Sequence, residues 1–191
     1  MTLHCLGLDL ALAHAGAARI HQDGRVQTWR LDTDPLPRDA TLDQTSDRMT
    51  RVVHWALSRA SLSTALAVIE QVPRGADTGM AFERAAIFWD VVHALRSHSI
   101  PVGSVNPRSL KARVVGSAKA SKQDVARTAA SLWPGNPGLA RVSGDEADAT
   151  ALATLGIVKL AAAGMPGWSG PWLDARALAI DTGAQWPDLA P

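Results

Sequence analysis

Four carboxylates, Asp9, Glu70, Asp145 and Asp148, stand where a strand or a helix would carry each of them toward one point. Asp9 closes the apolar run Cys5-Leu6-Gly7-Leu8, and Glu70 closes another, Ala65 to Ile69. A charge at the end of a buried strand is costly unless it meets solvent, a partner or a metal. Asp145 and Asp148 open an alanine-rich stretch at i,i+3 spacing, so a helix would point both off one face. Acids gathered this way raise one another's pKa unless positive charge lies among them. A pair of divalent ions is the usual remedy, and such pairs activate water against phosphodiesters. A metal-dependent nuclease is therefore the leading expectation. Each acid also has a plainer reading. Asp9 and Glu70 could be strand-end turn residues, and the Asp145/Asp148 pair could complement a helix macrodipole.

Charge elsewhere suits the same chemistry. Between Arg108 and Arg127 there are six basic residues (Arg108, Lys111, Arg113, Lys119, Lys122, Arg127) against the single acid Asp124. Such a run can follow a phosphate backbone, although a solvated helix face would look the same. His4, His14, His21, His54, His93 and His98 show no ligand spacing with the acids and read as core or surface residues. The 191 residues are 47% apolar and 19% charged with net charge +1, which suits an ordered medium-sized domain. Cys5 is the sole cysteine, so neither an intramolecular disulfide nor a multi-thiolate site can form within one chain. No run of about 18 apolar residues suggests a membrane span, and no signal-peptide pattern opens the chain. The expected location is cytoplasmic. There is no Ser-His-Asp ordering, Walker loop or Gly-x-Gly-x-x-Gly.

The elements that must hold the acids follow from periodicity and punctuation. Strands are expected over residues 3–9, 15–21 and on to about Leu31, with an Asp-Gly hairpin turn at Gln22–Arg25. A helix follows from Leu42 to Arg59, with Met49, Val52, Val53 and Leu57 on one face. After the strand ending at Glu70 comes a breaker-rich loop, Val72–Gly79, then a helix from Met80 to His98. Its buried line is read as Phe82, Ala86, Trp89 or Val92, and His93. A short strand spans Ile100–Val105, and Pro107 starts a helix to Val115. Ser121 caps another helix, Lys122 to Leu132. Ser143 and Glu146 match a capping box at the start of the last helix, Gly144 to Ala163, which gives Glu146 a structural job. The order predicts an α/β domain over residues 1–164, with a mixed five-stranded sheet, helices on both faces and parallel pairing among the later strands. Residues 165–191 read as a tail carrying Trp168, Trp172 and Trp186, with core or dimer packing as the plainest role.

Four segments together resemble the RuvC family of Holliday-junction resolvases. Gly7-Leu8-Asp9 with Gly16 is similar to that family's opening Gly-Ile-Asp-Pro-Gly and following Gly. Val68-Ile69-Glu70-Gln71-Val72 resembles its Ile-Glu-Gln-Val. Leu110-Lys111-Ala112-Arg113-Val114-Val115-Gly116, with Lys122 and Val125, is similar to its Val-Lys-x-x-Val-Val-Gly…Lys-x-x-Val. Asp145-Glu146-Ala147-Asp148-Ala149 resembles its Asp-x-x-Asp-Ala. The segments come in order across residues 3 to 163.

The resemblance implies an RNase H-like fold and a homodimer on branched DNA, especially four-way junctions, with one nick from each active site. It implies two Mg2+ or Mn2+ ions per site, held by Asp9, Glu70, Asp145 and Asp148, which hard oxygen ligands favour independently. Lys122 would lie near the scissile phosphate. Lys111 would follow the DNA path, with Arg113 and Lys119 as further phosphate contacts. The family's Pro-Gly after the first acid is Leu10-Ala11 here, and Pro73 replaces the aromatic that often follows Ile-Glu-Gln-Val. That substitution points to a broader enzyme cutting forks, flaps and three-way branches as the alternative. Two rivals are an actin-like ATPase half and an RNase H-like domain that binds nucleic acid without cutting it. The first lacks room for its second phosphate loop and adenosine segment, and the intact acid set argues against the second.

Overall fold

The computed structural model describes residues 2–72, 80–168 and 183–189. Its first unit is an antiparallel meander, β1 (His4–Asp9), β2 (His14–His21) and β3 (Val26–Asp32). The β2–β3 turn is the Asp-Gly hairpin: Gly24 has φ 82°, and its N–H donates to the His21 carbonyl. Helix α1 (Leu42–Leu57) starts at Thr41, which forms a capping box with Gln44. Then come β4 (Thr64–Glu70), α2 (Ala81–Ser97), β5 (Val102–Val105), α3 (Pro107–Val114), α4 (Lys122–Leu132), a 3-10 turn at Pro137–Arg141, and α5 (Gly144–Ala162). β4 lies parallel to β1, and β5 parallel to β4, as helix-length connections require.

Among the described residues the sheet has six strands rather than the expected five, in the order β3-β2-β1-β4-β5-β6. The additional strand, β6 (Ala184–Gln185), comes from the tail and pairs antiparallel with β5. Two residues between Gly183 and Trp186 carry almost no periodic signal, so the sequence does not betray them. The tail's tryptophans divide. Trp168 is buried and Trp186 packs against the same core, while Trp172 lies outside the described residues.

Strand alternation sorts the core onto the sheet's two faces. Cys5, Ile20, Leu66 and Val68 pack with α5 and α4 on one face. Leu6, Leu8, Ala17 and Ile69 pack with α1 and α2 on the other. Helix α5 is buried on nearly its whole circumference, from Ala147 to Val158, which accounts for its Ala-rich, apolar sequence. Small residues let it sit close to the strands.

Helix α2 is rotated relative to the expected face. Phe82 is 90% and Trp89 55% exposed, and His93 is exposed too. The buried residues are Ile87, Val91, Val92 and Leu95. Both lines have helical spacing, but the aliphatic i, i+4, i+8 line meets the sheet and the aromatic line faces outward. In α1 the buried line is Arg48, Val52 and Ala56, with Met49, Val53 and Leu57 partly covered beside it.

Candidate active site

Register brings the first two acids side by side. β1 and β4 pair in parallel through Leu8 and Ile69, so Asp9 and Glu70 are the next residues on neighbouring strands. Alternation puts both on the α5 face, in line with Cys5 and Val68. The N-terminal turns of α5 are pressed onto the same end of the sheet by two glycines. A methyl group at Gly16, the β2 partner of Asp9, would collide with the Asp145 carbonyl. One at Gly7 would collide with the Ala149 carbonyl. Only glycine permits that approach, so these residues set the distance between helix and strands.

Local chemistry fixes where α5 begins. The Ser143 hydroxyl accepts from the Glu146 N–H at 3.4 Å, and the Glu146 carboxylate accepts from the Ser143 N–H at 3.0 Å. Glu146 thereby has the structural job its spacing suggested. Asp145 and Asp148 are on the first turns that follow, where the helix dipole favours negative charge.

The four acids share one electrostatic environment. Asp9 is 8% exposed, and burial followed by the charges of Asp148 and Asp145 pushes it up to about 7. Burial, then Asp9 and Asp148, pushes Glu70 up to about 8. Burial raises Asp148 as well, and its Oδ1 is buried without a hydrogen-bond partner. An unpartnered carboxylate oxygen inside a protein is costly unless something else satisfies it. Asp9 and Glu70 make no side-chain hydrogen bond among the described residues.

Cations ring the acids. Lys122, the first residue of α4, runs its methylenes over Gly144, and its Nζ donates to Asp145 Oδ1 at 2.7 Å. That bond raises the Lys122 pKa. The Lys111 charge on α3 acts to lower Asp148. Arg113 and Lys119 have no contact with the four acids; Arg113 is half-buried and Lys119 is exposed. Arg84, on the first turn of α2, acts to lower both Asp9 and Glu70. Sequence reasoning missed it. The only available signal was an arginine opening the helix that follows the second acid. At the rim, Asp32 accepts from Arg30 at 2.7 Å and lies 2.6 Å from His14 Nδ1; the His14 side chain is 54% exposed. A groove of about 530 Å3 between α2, β5 and Gln185–Asp188 is lined by none of the acids.

No three Asp, Glu, His or Cys side chains among the described residues are drawn close enough to form a ready-made ion cage. The donor chemistry nevertheless fits a divalent cation. The candidate ligands are all carboxylate oxygens, one of them buried and unsatisfied, and their mutual repulsion is what a hard cation would relieve.

No family model and no curated protein matches the sequence. Solved structures do match the fold. Thermus thermophilus RuvC in complex with a Holliday junction substrate is 18% identical, with a TM-score of 0.60 over 85% of this chain and 97% of that one. A second T. thermophilus RuvC structure is 20% identical, with a TM-score of 0.53 over 80% of this chain and 91% of that one. The α/β architecture is thus the RNase H-like fold of RuvC.

Proposed function

We propose that the protein is a metal-dependent endonuclease of the RuvC type, which resolves Holliday junctions by paired symmetric nicks. The observation that supports this reading is that β1, β4 and α5 deliver Asp9, Glu70, Asp145 and Asp148 to one end of the sheet, where the charges of Asp145 and Asp148 act on Asp9 and those of Asp9 and Asp148 act on Glu70. It occurs in a fold shared with a resolvase bound to a Holliday junction.

Asp9, Glu70, Asp145 and Asp148 would together hold two Mg2+ or Mn2+ ions. Such ions supply an activated water and a Lewis-acid contact for the leaving 3′ oxygen. The chain's own residues do the positioning. Gly7 and Gly16 hold α5 against β1 and β2, so the four carboxylates keep their spacing. Lys122 steadies Asp145 and supplies a cation where phosphate charge develops. Lys111, with Arg113 and Lys119 on the same basic stretch, would follow the DNA backbone. Two copies, each with one site, would give two nicks.

A broader activity on forks, flaps and three-way branches is the second reading. It rests on Pro73 in place of an aromatic wedge, at a position outside the described residues. An RNase H-like domain that only binds is disfavoured by its retention of buried, mutually repelling acids, which cost stability and serve no purpose without cations.

The test is to incubate end-labelled four-way, three-way and linear DNA with the protein and Mg2+, and to map the nicks. Symmetric nicks in opposite strands of the four-way junction are expected. Comparable cutting of all branched forms favours the second reading, and intact DNA in every lane would overturn the nuclease assignment.

A further inference from the structure

We propose that Arg84 is a phosphate-binding residue of the active site, gripping the strand to be cut from the sheet layer opposite the one that supplies Lys122. The inference rests on the nuclease reading above and adds a substrate contact that the motif residues do not include.

Position comes first. Helix α2 packs on the face of the sheet away from α5, while α4, which carries Lys122, packs with α5. Because α2 is the crossover between the parallel strands β4 and β5, its first turn lies at the end of the sheet where β4 delivers Glu70. Arg84 and Lys122 thus approach the acidic end of the sheet from its two opposite layers.

The two cations differ in their commitments. Lys122 is spoken for by Asp145 at 2.7 Å. Arg84 has no carboxylate within ion-pair distance among the described residues, and its Nε is buried without a hydrogen-bond partner. Its own helix offers no relief. The neighbours at i±3 and i±4 are Ala81, Met80, Ile87 and Phe88, so no acid can pair with it along α2. A guanidinium has five donors in a flat fork and is always charged. Divalent ions on Asp9 and Glu70 would take up those carboxylates and leave the fork for another anion. The non-bridging oxygens of a phosphodiester match it, and bidentate pairing is the geometry arginine uses for that group. A lone counter-ion role would need only charge, whereas phosphate recognition needs the fork.

The two roles separate experimentally. Binding of a labelled four-way junction is measured in Ca2+, which fills hard-oxygen sites, over a range of salt, for the wild type, Arg84→Ala and Arg84→Lys, with thermal melting of each. Arg84→Ala is expected to weaken binding by about tenfold or more. Its salt dependence should fall by roughly one released ion. Arg84→Lys should restore the salt dependence but only part of the affinity. Wild-type affinity and salt slope in Arg84→Ala would overturn the proposal. So would an effect confined to the Mg2+ concentration needed for nicking, which would make Arg84 only a counter-ion. Should Arg84→Ala fail to fold, the lysine variant decides, because full affinity with lysine excludes a need for the fork. Wild-type protein that binds junctions without nicking them would sink the nuclease reading, yet the binding arm would still judge Arg84.

Discussion

At one end of β1 the His4 side chain is 2% exposed, and at the other Asp9 is 8% exposed, yet the fold treats the two titratable groups in opposite ways. His4 Nε2 lies 2.9 Å from the Thr64 hydroxyl, and its ring packs 5.3 Å from that of His21. Burial, helped by the charges of Arg19 and His21, lowers its pKa to about 4, so the ring is neutral and partnered. Asp9 is buried beside more acids, and its side chain has no hydrogen bond among the described residues. One end of the strand has resolved its polar cost internally, and the other has left it for something outside the chain. A buried group that the protein declines to satisfy marks the working end.

The sharpest way to break this contrast is to neutralise the working end. Asp9→Asn and Glu70→Gln keep size and remove charge, so cleavage of a four-way junction with Mg2+ should fall by about a thousandfold or more. Junction binding in EDTA should persist, because the basic residues rather than the acids meet the backbone. Nicking by either variant at the wild-type rate would show that the acids are not the reactive centre.

How much of this contrast was legible in the sequence differs between the two ends. The acids could be read because each stands where an apolar run stops, and period-two alternation then dictates its face. The two glycines that bring α5 down stood within the motif, but only packing reveals that their role is to admit Asp145 and Ala149 carbonyls. His4 gave no signal, since its neutral state depends on Thr64 and His21, both remote in sequence and matched only through strand register. Apart from Val92, the α2 face was misread because ring size outweighed the aliphatic line Ile87–Val91–Leu95. Arg84 was invisible for a related reason: its Nε has no hydrogen-bond partner among the described residues, and periodicity does not record that.

The quiet end makes its own prediction. The His4 pKa in the folded chain, about 4, lies below the unfolded value of 6.5. The unfolded chain therefore gains a proton first as pH falls. Stability from this group is complete above pH 6.5, drains between there and about 4, and changes no further below. A shift of that size corresponds to about 3 kcal/mol at most. Denaturant melts from pH 7 to 4 should show the loss, and His4→Gln, which can still bond Thr64, should flatten the curve over that interval. An unchanged profile in the variant would mean the acid sensitivity comes from other groups.

The working end should respond with the opposite sign. The folded pKa values of Asp9 and Glu70, about 7 and about 8, lie above the usual carboxylate range. Between about pH 4 and 8 the native state holds protons that the unfolded chain has released, so without divalent ions stability falls as pH rises. Asp9→Asn removes one of the repelling charges and should stabilise the ion-free protein at pH 8 by on the order of 1–2 kcal/mol. Adding Mg2+ or Mn2+ should raise the wild-type melting temperature at that pH, through binding to the native state alone, and should do little for the variant. A variant less stable than the wild type in EDTA, or a wild-type melt indifferent to both ions, would mean that the Asp9 end is satisfied from within after all.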